Sequence, residues 1–182
     1  VVPIPLSHPN GGTGFIFIEG GKKFAFLTDN ELGMQHPGAV RREDYLDAVR
    51  GADLLFHDAQ YSDAEYASRT RGWGHSTYTQ ATEFALEAGV KRLGTFHHDP
   101  DHSDAAIDDS IRLCRSIVRK RRSRMECFGV AEGIRPGSAL VDMSSISPIT
   151  AVKVATELGA KGVGIAMPDM PLKDHSNLPS MS

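Results

Sequence analysis

Histidine and aspartate carry the chemistry that this sequence offers. His8, His57, His75 and His97 all stand where apolar runs give way to polar loops, and Asp29 and Asp58 share that position. An imidazole or carboxylate at a strand end is presented into a common crevice, because the loops of an open sheet gather there. Imidazole nitrogens and carboxylate oxygens are the donors expected for Zn²⁺, or for Mn²⁺ or Fe at a carboxylate-bridged pair. A single histidine is more often structural than a ligand. Several at equivalent positions, with Asp29 ending a strand as well, shift the reading toward a metal site.

The elements that must position these groups follow from periodicity. Residues 13–29 read as a hairpin, with TGFIFIE and KKFAFLTD joined at Gly20-Gly21 and Asp29 closing the second strand. Residues 30–42 read as a loop, and EDYLDAVRG (43–51) as a short helix that buries Tyr45, Leu46 and Val49. Asp53 to His57 is a short apolar strand that delivers His57 and Asp58. A polar segment then mixes a short helix with exposed loop. From Thr79 the positions Ala81, Phe84, Ala85 and Ala88 follow helical spacing, and Lys91 to His97 forms the next strand. Ser103-Asp104 caps a long helix with Ile107, Ile111, Cys114 and Val118 on its apolar face, and residues 125–133 contain a further strand. Strand and helix alternate, which argues for an α/β layered sandwich.

Composition narrows the class. The 182 residues are 40% hydrophobic and 24% charged with a net charge of −3, so no global basic field recruits nucleic acid or an anionic membrane. Cys114 and Cys127 are the two cysteines, too few for a disulfide scaffold, and a reducing, cytoplasmic setting is expected. No apolar stretch approaches the ~20 residues that span a bilayer. The basic run 119–124 reads as a solvated helix end that favours the C-terminal dipole. The loop cluster Asp99, Asp101, His102 and Asp104 reads as helix capping plus exposed carboxylates. Trp73 and Tyr78 flank His75 and suit either an aromatic wall for a ring substrate or simple edge packing.

Several segments resemble one known family. PLSHPNGGTGFIFIEGGKKFAFLTD (5–29) is similar to the middle of a metallo-β-lactamase-fold hydrolase, in the branch holding tRNase Z and phosphoribosyl cyclic phosphodiesterases. ADLLFHDAQYSDAEY (52–66) resembles the branch's DLLIHEATY segment. GHSTYTQATEFALEAGVKRLGTFHHDPDHSD (74–104) resembles its His-Ser-Thr helix start and the strand that ends in the last metal histidine. The segments occur in family order over residues 1–133.

The resemblance implies roles one position at a time. His8 matches a metal ligand, Asp29 the aspartate that bridges two metals, and His97 the terminal metal histidine, with His98 as the alternative register. His75 matches a non-metal catalytic histidine that stabilises the phosphoryl oxygen or protonates the leaving group, work suited to a side chain titrating near neutrality. Asp58 takes the place of the acidic residue that orients this histidine, although the local motif is His-Asp-Ala-Gln rather than His-Glu-Ala-Thr. His57 itself reads as structural. The family signature H-x-H-x-D-H occurs nowhere in the sequence, so His8, Asp29 and His97 supply only part of a two-metal clamp. The expectation is the second half of the fold, either part of a longer hydrolase or a degenerate domain.

A second resemblance lies in the tail. GIRPGSALVDMSSISPITAVKVATELGAKGVGI (133–165) resembles a segment of the β-hydroxyacid dehydrogenases, with VDMSSISP after a Rossmann strand. It implies that Ser144 and Ser145 touch substrate or an NAD cofactor. The Gly-rich fingerprint and the catalytic lysine of that family are missing. The residues alone read as a strand at 139–143 and a helix over 148–158, capped by Ser147 with Pro148 at its first position.

The sequence thus predicts residues 1–133 as a metallo-β-lactamase-like domain, C-terminal half, and residues 134–182 as an appended Rossmann-like strand-helix-strand fragment with a tail. The expected function is metal-dependent hydrolysis of a small phosphodiester or nucleotide-like substrate, with RNA as a further substrate class. Zinc, or manganese or iron, is the expected cofactor, at two ions in the family. An NAD-dependent dehydrogenase fragment and a non-catalytic domain are the alternatives. A homo-oligomer or a complementing chain is the expected form of assembly, with no membrane association.

Overall fold

The computed structural model describes residues 1–130, 139–141 and 164–166. The chain divides into two compact units, Val1–Gly133 and Ile134–Ser182.

In the first unit a sheet of six strands runs in sequence order: β1 (Val2–Pro5), β2 (Thr13–Glu19), β3 (Lys22–Leu27), β4 (Leu54–Asp58), β5 (Arg92–Phe96) and β6 (Glu126–Gly129). The hairpin β2–β3 closes through Gly20 and Gly21, both at positive φ, and pairs Glu19 with Lys22 across the turn. β1 adds antiparallel to β2 at the edge. Its Pro3 and Pro5 are tolerated because an edge strand need not donate from both sides, and they also hide the strand from a propensity reading.

From β3 to β6 the pairing is parallel. Each crossover carries a helix: α1 (Arg42–Val49) before β4, α3 (Tyr78–Glu87) before β5 and α4 (Asp104–Lys120) before β6. Between β4 and α3 lies α2 (Asp63–Glu65), which continues into a π-helical turn at Tyr66–Thr70. Right-handed crossovers that step one strand at a time place successive helices on the same face. The buried core agrees, joining Tyr45, Leu46 and Val49 of α1, Phe84 and Ala85 of α3, and Ile111, Cys114 and Val118 of α4 to Ala25, Leu27, Leu55 and Leu93 of the sheet. The alternate residues carry an aromatic chain on the opposite face: Phe17 stacks on Phe24, which meets Phe56, which meets Phe128.

Helix boundaries follow the sequence signals. Thr77 caps α3 in a reciprocal box with Gln80, and Ser103 caps α4 by accepting from the Ala106 amide. The basic end of α4 is solvated, with Arg121 paired to Glu83 at 2.9 Å. Asp99 accepts from the Asp101 amide in a local turn, and His102 pairs with Glu65 at 3.0 Å.

In the second unit β7 (Ala139–Val141) pairs parallel with β8 (Gly164–Ala166). Ser144, Ser145 and the helix expected over 148–158 lie outside the described residues. No helix among the described residues is long and apolar enough to cross a membrane.

Phe84 is fully buried between sheet and helices. Phe84→Ala should therefore lower the unfolding free energy by about 3–5 kcal/mol in urea titrations. Phe17→Ala, at a residue 38% exposed, should cost much less.

Candidate metal centre

Parallel pairing aims β3, β4 and β5 the same way, so the chain leaves all three at one edge of the sheet. Asp29 follows β3, Asp58 ends β4 and His97 follows β5. β1 also points to this edge, since it is antiparallel to β2, and His8 lies in the loop just after it. The segment 59–77 crosses the same edge before α3 turns back, and it brings His75.

Asp29, His75 and His97 each place one donor atom within 4.8 Å of the others, the single group of this kind among the described residues. His97 Nε2 is 3.4 Å from Asp29 Oδ1, and His75 Nδ1 is 3.9 Å from the same oxygen. The two imidazole rings lie 4.9 Å apart. Asp29 and His97 both adopt φ of +57°, in the left-handed region that costs a residue with a Cβ about 1–2 kcal/mol. Such strain persists only where the surroundings impose it, and it gathers at functional sites.

The expectation set His8 with Asp29 and His97 and placed His75 behind them. In the structure His75 takes part in the cluster, and His8 stands edge-on to His75 with ring centroids 5.4 Å apart. His8 Nδ1 accepts from the Asn10 amide at 3.2 Å, which puts the proton of its neutral ring on Nε2. Burial and the neighbouring His75 hold its pKa below the ordinary value. His98 is turned away from the cluster: its ring stacks on Tyr78, its Nδ1 meets the Tyr78 hydroxyl at 2.7 Å, and burial lowers its pKa to about 4. His57 is fully enclosed, with Nδ1 on the Asp58 carbonyl and Nε2 on the Asn30 amide group.

Asp58 lies beneath the cluster with no exposed surface. One of its oxygens accepts from the Asn30 amide at 2.9 Å and the other from the Ser76 amide at 2.8 Å. Its Oδ2 is also 3.6 Å from His75 Nδ1, which is buried and has no hydrogen-bond partner. Burial opposes the charged ring of His75, but Asp58, then Asp29 and Glu31, outweigh it and raise the pKa above the ordinary value.

A second buried carboxylate, missed by the sequence reading, fixes the loop that carries His75. Glu31 accepts from the Tyr66 hydroxyl at 2.6 Å, the Gly72 amide at 2.7 Å, the Gly74 amide at 2.8 Å and His36 Nε2 at 2.7 Å. These partners outweigh its burial and hold its pKa below the ordinary carboxylate value. Tyr66, whose hydroxyl reaches Glu31, is the first residue of the π-helical turn. In the sequence, Glu31 sits in a loop like any solvated glutamate, and nothing local marks it.

The donor chemistry fits a borderline divalent cation, because the His97 imidazole and the Asp29 carboxylate approach to 3.4 Å with the His75 ring beside them. Residues 1–98 match the family described as "Beta-lactamase superfamily domain". The chain belongs to this family. Its metallo-β-lactamase fold is also that of the Bacillus subtilis protein YhfI, whose crystal structure superposes with a TM-score of 0.50 at 14% identity over 70% of this chain and 45% of that one. Among curated proteins the chain is similar to Ribonuclease Z of Saccharolobus solfataricus, at 30% identity over 58% of this chain and 32% of that protein. Ribonuclease Z of Brevibacillus brevis is 38% identical over 50% of this chain and 26% of that protein. The chain thus matches about a quarter to a third of the length of these relatives. Family and relatives lend the dehydrogenase reading no support.

Replacing Glu31 with alanine leaves its donors facing each other without an acceptor. The expected cost is about 3–5 kcal/mol, with faster amide exchange at Gly72 and Gly74. Because the folded-state pKa is depressed, the stability that Glu31 confers is present above its ordinary value of 4.5 and is lost as pH falls through the lower folded-state value. Urea titrations from neutral to acid pH should show this loss in the parent and not in Glu31→Ala.

Proposed function

We propose that this chain forms part of a metal-dependent phosphodiesterase. The observation that carries the reading is the convergence of Asp29, His75 and His97 at the C-terminal edge of the parallel strands, in a chain of this family with ribonuclease Z relatives.

Asp29 and His97 hold the cation in this proposal, with zinc, manganese or iron as the candidates. A bound cation of this kind lowers the pKa of coordinated water and polarises a phosphoryl oxygen. His75 acts beside it. Asp58 faces His75 Nδ1 and favours the imidazolium, so the other ring nitrogen is free to deliver a proton to the departing oxygen. Ser76 and Thr77 fix the backbone after His75 through Asp58 and the α3 cap, which limits how far the ring can drift. His8 is the third donor in this proposal, and to ligate its ring must give up the Asn10 amide. The absence of H-x-H-x-D-H from the sequence leaves a two-metal clamp to be completed by another polypeptide segment. A reducing compartment suits the buried, unbridged Cys114 and Cys127.

Metal affinity and rate separate the roles. His97→Ala should lower Zn²⁺ or Mn²⁺ affinity of the chain as well as hydrolysis of bis(p-nitrophenyl) phosphate by the active form. His75→Ala should keep the metal and lose about 10²–10⁴-fold in rate. Equal loss of metal in both variants would make His75 a ligand instead. Retention of metal by His97→Ala would overturn the site.

A further inference from the structure

We propose that Trp73 is a stacking platform for a nucleobase carried next to the scissile phosphate, with Arg71 as the cation that meets the nucleotide's phosphate. The inference rests on the phosphodiesterase reading and names its substrate class: a nucleotide or a nucleic-acid end, rather than a phosphodiester without a base.

The two aromatic residues that flank His75 have different fates. Tyr78 is 1% exposed and packed in the core, so it forms no wall. Trp73 is 55% exposed, although indole is among the side chains that gain most from burial. Its edge meets the Tyr61 ring at 6.3 Å, and Tyr61 in turn meets His75 at 6.2 Å. The indole therefore stands one ring away from His75.

A mobile loop could leave a tryptophan exposed by default, but this backbone is tied down on both sides. The Gly72 and Gly74 amides both bond to the buried Glu31 carboxylate, and the Trp73 amide bonds to the Thr70 carbonyl at 3.1 Å. Gly72 and Gly74 sit at φ of +90° and +99°, and a side chain at position 74 would run into the His8 ring. Glycine on each side is thus what lets the loop hug the metal cluster while the indole points outward. Holding a large flat apolar ring outward on a fixed backbone reduces the ordering cost of binding another flat ring.

Arg71 supplies the second half of the chemistry. It is exposed, its charge acts on the nearby Tyr66 hydroxyl, and its guanidinium makes no ion pair or hydrogen bond among the described residues. Most other arginines near the helices are paired, as Arg41, Arg42 and Arg69 are. A free guanidinium two residues from an exposed indole offers a phosphate contact beside a stacking surface.

Trp73 is the sole tryptophan, so its fluorescence reports stacking directly. The full chain is titrated with adenosine 5′-monophosphate, uridine 5′-monophosphate, ribose 5-phosphate and inorganic phosphate, without metal and with Zn²⁺. Binding to Trp73 variants is followed by calorimetry. Both nucleotides should quench saturably and ribose 5-phosphate should not. Trp73→Leu should weaken nucleotide binding about 5- to 100-fold, Trp73→Phe should restore most of it, and ribose 5-phosphate should be indifferent to both. Arg71→Gln should weaken nucleotides and ribose 5-phosphate alike. Equal affinity for AMP and ribose 5-phosphate, no quenching by any nucleotide, or unchanged nucleotide affinity in Trp73→Leu would each overturn the proposal. Hydrolysis of bis(p-nitrophenyl) phosphate by the active form is read in parallel. Its persistence without nucleotide quenching would reject the platform and leave the phosphodiesterase reading standing, and quenching without hydrolysis would do the reverse.

Discussion

The Asp58 carboxylate joins two loops that the sheet alone would leave independent. By accepting from the Asn30 and Ser76 amides it fixes the residue after Asp29 and the residue after His75 against one buried group. A carboxylate with no exposed surface is tolerated only when donors surround it, and those donors are the backbone of the site. Around it the contacts continue. Ser76 Oγ donates to the Asn30 carbonyl and accepts from the Leu32 amide, while Asn30 Oδ1 accepts from the Ser7 amide at the end of the β1 loop. Glu31 then does for the stretch before His75 what Asp58 does for the stretch after it. The approach of His75 to Asp29 and His97 is thus set by hydrogen bonds to buried charge.

This construction explains how strain is carried. Asp29 and His97 hold left-handed backbone; Asp29 stands two residues past β3 and His97 directly after β5, strands whose parallel ladders fix where the chain leaves the sheet. The Ala59 amide bonds to the Phe96 carbonyl, tying the end of β4 to the residue before His97. Strain of this kind needs a rigid frame, and the fully buried Leu27, Leu55 and Leu93 beneath the loops supply it. A site on softer supports would relax, and the donor atoms would separate.

The glycines around Trp73 show the same principle on the outer side of the loop. Their positive φ values and their bonds to Glu31 let one short stretch serve two surfaces, the inner facing the metal cluster and the outer facing solvent. A cleft built this way is shaped by backbone, so side-chain changes at its rim leave its frame in place.

The sequence by itself determined the elements and their order. Alternation around Phe15 and Phe24 marked the hairpin, helical spacing from Ala81 to Ala88 marked α3, and the motifs at His8, Asp29, His75 and His97 marked one edge. These signals are local, since they depend on side-chain period and on residues a few positions apart. β1 escaped because its prolines contradict strand propensity, and only edge pairing with β2 makes it a strand. Tertiary structure alone decided the rest. Glu31 and Asn30 are separated by more than forty residues from Gly74 and Ser76, their partners across the cleft. Burial, which turns a loop carboxylate into a structural one, has no signature in neighbouring residues. Which imidazoles stand together, His75 with His97 rather than His8 with His97, depends on ring orientation imposed by those distant contacts. The same holds for the two flanking aromatics. Tyr78 and Trp73 look alike in sequence, but the helix turns one inward and the glycine loop holds the other out.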